Sequence, residues 1–263
     1  MQISLNNSKW YDRLWASFIF FTRLPLRRLH EPPQQCYRRA AEHWPLTGWL
    51  TAGVMAAVLW AGSLWLPHSI AVILAMASRL LLTGARHESG LCHFADAFGC
   101  RGTDSRRILS IMQYPHLGAY GVICMVTYEL LLFAALTAMP RTAAALTILA
   151  ADPFAKMVAA QITMMMPHAG TGEEAKESSG YGRMNLAAGI SLAVQGLLPL
   201  ALYIYIMLGT GIDWQILIFA PCIVMYFAYI LIWRRLRGYT GDCCGALFLI
   251  VELTFYIAAA SML

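Results

Sequence analysis

The sequence predicts an all-α, polytopic helical membrane protein with about seven transmembrane helices and one N-terminal interfacial helix. Hydrophobic residues make up 59% of the 263 residues and charged residues only 13%, whereas a soluble domain carries about 25% charged residues. The mean hydropathy is +0.57. The apolar residues also form runs close to the roughly 20 residues that a helix needs to cross a bilayer. We expect a single integral membrane domain over residues 1–263.

The elements follow from the lengths of these runs. The first run, residues 10–21, is only about a dozen residues long and is expected to lie in the membrane interface. No small-residue cleavage site follows it, so it is not expected to be a signal peptide. The seven predicted spans are residues 44–66, 68–85, 118–138, 142–166, 186–209, 214–233 and 245–263.

The distribution of basic residues predicts the orientation. If the connections alternate between the two sides, 16 of the 19 Lys and Arg residues fall on one side. The positive-inside rule places that side in the cytoplasm. The opposite side holds only short turns, so the functional residues are expected to lie on the cytoplasmic side. The predicted functional cytoplasmic segments are residues 20–43, 84–117, 167–185 and 234–244.

Composition also excludes some classes of protein. The net charge of +5 is explained by the basic residues on the predicted cytoplasmic side. It does not indicate a nucleic-acid-binding protein, because no basic patch is interleaved with stacking aromatic residues. None of the seven cysteines forms a CxxC pair, so they are expected to pack as small apolar residues. The two halves show no repeat of the kind that transporters often carry.

Residues 84–102, "GARHESGLCHFADAFGCRG", are the richest candidate site. They place His87, Glu88, His93 and Asp96 within ten positions. In a helix, positions 89, 93 and 96 share one face. Such a face could bind a divalent metal, and Mg²⁺ is usually held by one or two carboxylates plus substrate phosphates. The alternative is a polar interfacial loop with scattered acids.

Two further stretches carry polar residues at predicted membrane entries. In "GYTGDCCGA", Asp242 either places a carboxylate at the mouth of the bundle or caps a helix. In "FFTRLPLRR", Arg23 either clamps a phosphate or anchors the chain at the interface.

Five ionisable residues lie within predicted spans, where they are costly unless they face the bundle interior. We expect structural pairing for most of them, and Asp152 with Lys156 has the i, i+4 spacing of an ion pair. Glu252 lies about 15 Å along a helix from Asp242, too deep to share its metal. The five are Arg79, Glu129, Asp152, Lys156 and Glu252.

Five motifs in this order resemble the adenosylcobinamide-GDP ribazoletransferase family, also called cobalamin-5′-phosphate synthase. They are "FFTRLP", "WPLTGWL", "TGxxHExG…DxFG", "IMxxxHLGAYG" and "GYTGDCxGA". The resemblance implies a multi-pass enzyme of the cell inner membrane that uses Mg²⁺. Its substrates would be adenosylcobinamide-GDP and α-ribazole or its 5′-phosphate, and GMP would be released. Other enzymes of the cobalamin pathway are possible partners.

The resemblance also implies roles for individual residues. The expected catalytic residues are His87, Glu88, His93, Asp96 and Arg23. The expected substrate-binding residues are Gly90, His116, Gly118, Thr240 and Gly241. The expected metal ligands are Asp96, Glu88 and Asp242.

The chain departs from the family pattern in its central motif. Ser89 and His93 stand where the family has aspartates, and Asp96 is kept. The site therefore loses two negative charges, and imidazole suits zinc, iron or nickel better than Mg²⁺. Two hypotheses follow: an active phosphotransferase, or a catalytically impaired member that binds corrinoid or scaffolds the pathway at the membrane.

Overall fold

The computed structural model describes residues 9–100, 104–114, 116–169, 180–182 and 184–263. Parts of two predicted functional segments, residues 101–103 with 115 and residues 170–179 with 183, lie outside the described residues. The structure is all-helical, and the described residues include no strand, only one isolated bridge between His168 and Tyr239. The helices are α1 (Trp10–Phe21), α2 (Gln34–Tyr37), α3 (Trp44–Gly62), α4 (His68–Thr83), α5 (Arg86–Gly99), α6 (Ser105–Met112), α7 (Ala119–Ala138), α8 (Arg141–Ala160), α9 (Ile162–Met165), α10 (Leu186–Ile206), α11 (Trp214–Leu236) and α12 (Gly241–Ala260).

Six of these helices, namely α3, α7, α8, α10, α11 and α12, are long and apolar enough to cross a membrane. A seventh crossing results if α4 and α5 count as one broken span. The predicted polytopic, all-α fold class is therefore confirmed. The predicted N-terminal helix also begins and ends at Trp10 and Phe21.

Two helices form the centre of the bundle. In the most apolar stretch of α8, 83% of residues are buried within the protein, and in α12 the figure is 72%. The corresponding stretches of the other four long helices are only 22–44% buried. Since α8 and α12 are covered on most sides, residues at their ends are held by many neighbours.

Buried ion pairs connect the central helices to their neighbours. Arg79 on α4 donates two hydrogen bonds to Glu252 on α12, at 2.9 and 2.6 Å. The hydroxyl groups of Tyr128 and Tyr256 also contact this pair. The structural pairing predicted for these intramembrane charges is confirmed.

A second buried pair confirms the i, i+4 prediction in α8. The Lys156 ammonium lies 2.6 Å from the Asp152 carboxylate. Thr51 on α3 donates to Asp152 at 2.7 Å and accepts from Lys156 at 2.8 Å. Gly48 makes this packing possible, because a Cβ there would lie 2.7 Å from the Asp152 carboxylate.

A sharp corner separates α4 from α5. Gly84 and Ala85 both have left-handed backbone conformations, with φ of 69° and 54°. The axis of α5 turns 90° from that of α4. The sequence predicted a connection over residues 86–117, whereas the structure places two helices, α5 and α6, within it. This corner positions the richest candidate motif against the start of α12.

Candidate functional site

The crossing of α5 and α12 is built on two glycines. A Cβ at Gly90 would lie 3.2 Å from the Cα of Asp242, and a Cβ at Gly245 would lie 3.3 Å from the Cα of His87. Only small residues let two helix backbones approach this closely. The motifs "HESG" and "GYTGDCCGA" therefore meet at one contact, which places their polar side chains together.

The first turn of α12 brings Asp242 to the rim of this crossing. The helix begins at Gly241, four residues earlier than predicted, and Thr240 caps it by accepting from the Cys243 N–H at 3.3 Å. Asp242 is therefore free of the capping role that the sequence allowed. Its carboxylate is partly exposed and close enough to His93 for an electrostatic interaction.

His87 lies beneath the crossing in an aromatic enclosure. It is only 2% exposed, and the rings of Phe21, Trp44 and Phe248 surround it at centroid distances of 5.9, 5.4 and 4.9 Å. Neither ring nitrogen has a hydrogen-bond partner among the described residues. Burial in such surroundings disfavours the charged imidazole.

Glu88 faces the bundle interior. It is 4% exposed, and one carboxylate oxygen lies 3.7 Å from the guanidinium of Arg79. The other oxygen accepts no hydrogen bond from the described residues. Glu88 therefore belongs to the Arg79 cluster and not to the accessible face of α5.

Asp96 holds the start of α7. Its two carboxylate oxygens accept hydrogen bonds from the backbone N–H groups of Gly118 and Gly121, at 2.7 and 2.8 Å. Side chains at either glycine would clash, because their Cβ atoms would lie 2.5 Å from this carboxylate. A negative charge at a helix N-terminus is stabilising. Asp96 is thus covered by α7, although it shares a helical face with Ser89 and His93.

The accessible polar residues are a different set from the buried acids. Ser89 is exposed and His93 partly exposed on α5. Arg86 and Arg23, at the corner between α4 and α5, are both exposed. Together with the partly exposed Asp242, these are the site residues that a soluble substrate can reach.

A cleft of about 560 Å³ lies between α5, α6 and α7. Three residues of the predicted site, Asp96, His116 and Gly118, line it. Tyr114 and Tyr120 also line it and are 59% and 55% exposed. Its volume lies within the range of small-molecule sites, and its aromatic rings suit a flat ligand.

The predicted metal ligands do not converge. No group of three or more His, Cys, Asp or Glu side chains in the described parts of the chain is placed to hold a metal ion. Asp96 binds the start of α7, Glu88 lies beside Arg79, and Asp242 remains accessible. This donor set does not fit a metal held by protein alone. It fits a Mg²⁺ ion that is bound by substrate phosphates and by one carboxylate of the protein.

Sequence reasoning missed Arg86 as a site residue. Its guanidinium lies over the ring of Phe20, 4.3 Å from the centroid. Its position directly after the "TGA" turn, at the N-terminus of a polar helix, was a usable signal. The contact with Phe20 needs the tertiary fold and could not be predicted.

Comparisons with known proteins agree with the motif resemblance. The model of a family described as cobalamin-5-phosphate synthase matches residues 13–260. A protein of Ralstonia pickettii (strain 12J) named adenosylcobinamide-GDP ribazoletransferase is 33% identical over 244 residues, which cover 92% of this chain and 93% of the relative. A protein of Shewanella pealeana with the same name is 30% identical over 255 residues, covering 94% and 95%. No solved structure matches.

Proposed function

The chain belongs to the cobalamin-5-phosphate synthase family, and on that premise we propose that it is an adenosylcobinamide-GDP ribazoletransferase. It would join adenosylcobinamide-GDP with α-ribazole, or its 5′-phosphate, to give adenosylcobalamin or its 5′-phosphate, with GMP as the second product. The observation that carries the proposal is the meeting of two motifs. The "HESG" and "GYTGDCCGA" segments, far apart in sequence, pack together at the α5–α12 crossing, where Ser89 is exposed and Asp242 partly exposed.

The proposed reaction is attack by a ribazole hydroxyl on the diphosphate. The hydroxyl oxygen forms a bond to the phosphorus that carries the cobinamide, and the bond from that phosphorus to the GMP oxygen breaks. The hydroxyl proton needs an acceptor close to the reacting oxygen. His93 is the accessible base on α5, and the Asp242 carboxylate, which interacts with it electrostatically, would stabilise the resulting imidazolium.

The remaining predicted residues have supporting roles in this proposal. Arg23 offers a guanidinium to the phosphates, which carry the growing negative charge. The cleft with His116 and Gly118 offers an aromatic surface for a flat base of either substrate. The buried residues His87, Glu88 and Asp96 shape the site and hold α4, α5, α7 and α12 in register.

Mg²⁺ is part of the proposal as a cofactor. Asp242 would hold it together with the diphosphate, and the ion would neutralise negative charge on the phosphates. We also propose the cell inner membrane as the location, with the site on the cytoplasmic side. The basic segments support this orientation.

The test is release of GMP by the purified protein in liposomes. We expect GMP from adenosylcobinamide-GDP only when α-ribazole or its phosphate is present, and only with Mg²⁺ or Mn²⁺. His93→Gln should lower kcat by about 10²-fold or more, as expected for loss of a general base. Ribazole-independent release, or none under conditions where the Ralstonia pickettii relative works, contradicts the proposal.

The second candidate function is a catalytically impaired family member that binds corrinoid or scaffolds the pathway. It is favoured by the accessible placement of Ser89 and His93, at positions where the motif resemblance implies aspartates. A corrinoid-binding assay distinguishes the two candidate functions. Corrinoid binding without any turnover, unchanged in Asp242→Ala, supports the impaired member, whereas metal-dependent turnover excludes it.

A further inference from the structure

We infer that Arg23 and Arg86 form a two-sided clamp for the diphosphate of the substrate, at the corner between α4 and α5. The inference deepens the proposed function, on which it rests, by naming the residues that hold the diphosphate. Arg86 has no role in the motifs of the sequence resemblance. The tertiary structure holds both guanidinium groups in place at this corner.

Arg23 is fixed by backbone pairing and by Gly84. Its backbone N–H donates to the carbonyl of Leu82 at 2.7 Å, which ties the "FFTRLP" turn to the end of α4. Its side chain lies against Gly84, where a Cβ would be 2.3 Å from the Arg23 Nε. A side chain at position 84 would displace the guanidinium. Glycine is therefore favoured at position 84 for two reasons. It readily adopts the left-handed conformation, with φ of 69°, and it leaves room for the Arg23 side chain.

Arg86 is fixed by an aromatic ring. Its guanidinium carbon lies 4.3 Å from the centroid of Phe20, within the range of cation–π contacts. Phe20 in turn packs edge-on against Phe21 and Tyr181, at centroid distances of 4.9 and 6.3 Å. Arg86 is therefore held by stacking, while the N–H groups at the edge of its guanidinium stay available.

Both guanidinium groups are available for a ligand. Neither forms an ion pair with an acidic side chain among the described residues, whereas Arg13 and Arg79 pair with Glu42 and Glu252. Both arginines are exposed. Their side chains are nevertheless packed in place, against Gly84 and over the ring of Phe20.

The corner adds a third attraction for an anion. Arg86 is the first residue of α5, and the unpaired N–H groups and dipole of a helix N-terminus favour phosphate. Guanidinium groups bind phosphate oxygens in pairs. From Arg86, one face of α5 leads to Ser89 and His93, roughly 10 Å along the helix. A diphosphate at the corner would thus lie at the entrance to the proposed reacting groups.

The experiment measures binding of GDP and inorganic pyrophosphate to the full-length protein in liposomes, at fixed ionic strength. We expect Arg23→Gln and Arg86→Gln each to weaken GDP binding by roughly 10- to 100-fold, the usual range for a hydrogen bond to a charged group. Arg86→Lys should recover only part of the affinity, since lysine lacks the bidentate fork. The matched control is Arg28→Gln, an exposed arginine on the same segment without an aromatic or acidic partner among the described residues.

The outcomes separate the clamp from the proposed function. Loss of GDP binding in the Arg23 and Arg86 variants, with unchanged melting temperature and a normal Arg28 variant, supports the clamp even if no GMP is released. Turnover with unchanged KM for adenosylcobinamide-GDP in Arg86→Gln overturns the clamp and leaves the proposed function intact. Equal losses in all three variants, or no GDP binding by the unmodified protein, also overturn the clamp.

Discussion

Single residues in the candidate site divide into buried acids that hold the fold and accessible groups that can reach a substrate. The Asp96 carboxylate binds two backbone N–H groups of α7, and Glu88 lies beside Arg79. Ser89, His93 and Asp242 remain at least partly exposed. The side chains with the strongest chemical signal in the sequence thus do not all face the same accessible surface.

At the residue scale, Asp96→Asn should destabilise the protein. Asparagine has one acceptor oxygen, so one of the two N–H groups at Gly118 and Gly121 would lose its partner, at a cost of about 1–3 kcal/mol. We expect the melting temperature in detergent to fall by several degrees. Asp104→Asn is the matched control because Asp104 caps α6 through a single N–H, a role that asparagine fills equally well. Lost turnover without any loss of stability would instead indicate that Asp96 acts in the chemistry.

At the scale of elements, the α5–α12 crossing decides whether the site assembles. The two helices touch through Gly90 and Gly245, and this contact brings α5 against the backbone of Asp242. The same two helices are tied further along by the Arg79–Glu252 pair, since Arg79 also lies 3.7 Å from Glu88 on α5. Packing and charge thus fix one relative arrangement of α4, α5 and α12.

Gly90→Ala should separate the two helices. Its Cβ would meet the Asp242 backbone at 3.2 Å, and overpacking of this kind costs about 1–3 kcal/mol. We expect a lower melting temperature and a lower kcat, measured together by thermal melting and GMP release. Gly53→Ala is the control, because a Cβ there meets nothing within 4 Å and alanine favours a helix. Equal behaviour of the two variants would refute the proposed close contact.

Glu252→Gln should strongly destabilise the bundle. It leaves the buried Arg79 guanidinium without its main partner, which typically costs about 3–5 kcal/mol. We expect a large drop in melting temperature, and a smaller one when Arg79→Met is combined with Glu252→Met. Glu31→Gln, at an exposed position, is the control. A stable Glu252→Gln protein with altered turnover would instead assign this glutamate a functional role.

At the scale of the whole molecule, the charge distribution predicts which ends of the helices face the cytoplasm. To test this, a cysteine is introduced either at Ser110 on α6 or at Thr210 beyond α10. The unmodified protein gives the baseline labelling of the native cysteines. An impermeant thiol reagent added to intact spheroplasts should label Thr210→Cys and spare Ser110→Cys. Inverted vesicles should show the opposite pattern. The reverse result would place the candidate site outside the cytoplasm.

Much of the fold could be predicted from the sequence, because apolar runs report directly on helices that cross a bilayer. The sequence did not predict α5 and α6, since residues 86–112 are too polar to stand out as a span. It also placed the start of the last helix at residue 245, because the Thr240 cap depends on a local hydrogen bond.

The candidate site was only partly predictable, because several of its contacts join distant parts of the chain. The motif residues were recognisable, and most of them lie near the α5–α12 crossing or the cleft between α5, α6 and α7. The hydrogen bonds that Gly118 and Gly121 donate to the Asp96 carboxylate join positions 22 and 25 residues apart. The contact of Arg86 with Phe20 spans the α4–α5 corner. Such roles depend on tertiary neighbours that a linear motif does not contain.

We propose that this chain catalyses the ribazole transfer with Ser89 and His93 at the positions where the motif resemblance implies aspartates. The most direct test compares GMP release by the unmodified protein and by the Ser89→Asp, His93→Asp double variant, in the same liposomes with Mg²⁺. The account predicts ribazole-dependent turnover by the unmodified protein. Turnover by the double variant alone would contradict it, and would show an intact scaffold whose chemistry has been lost.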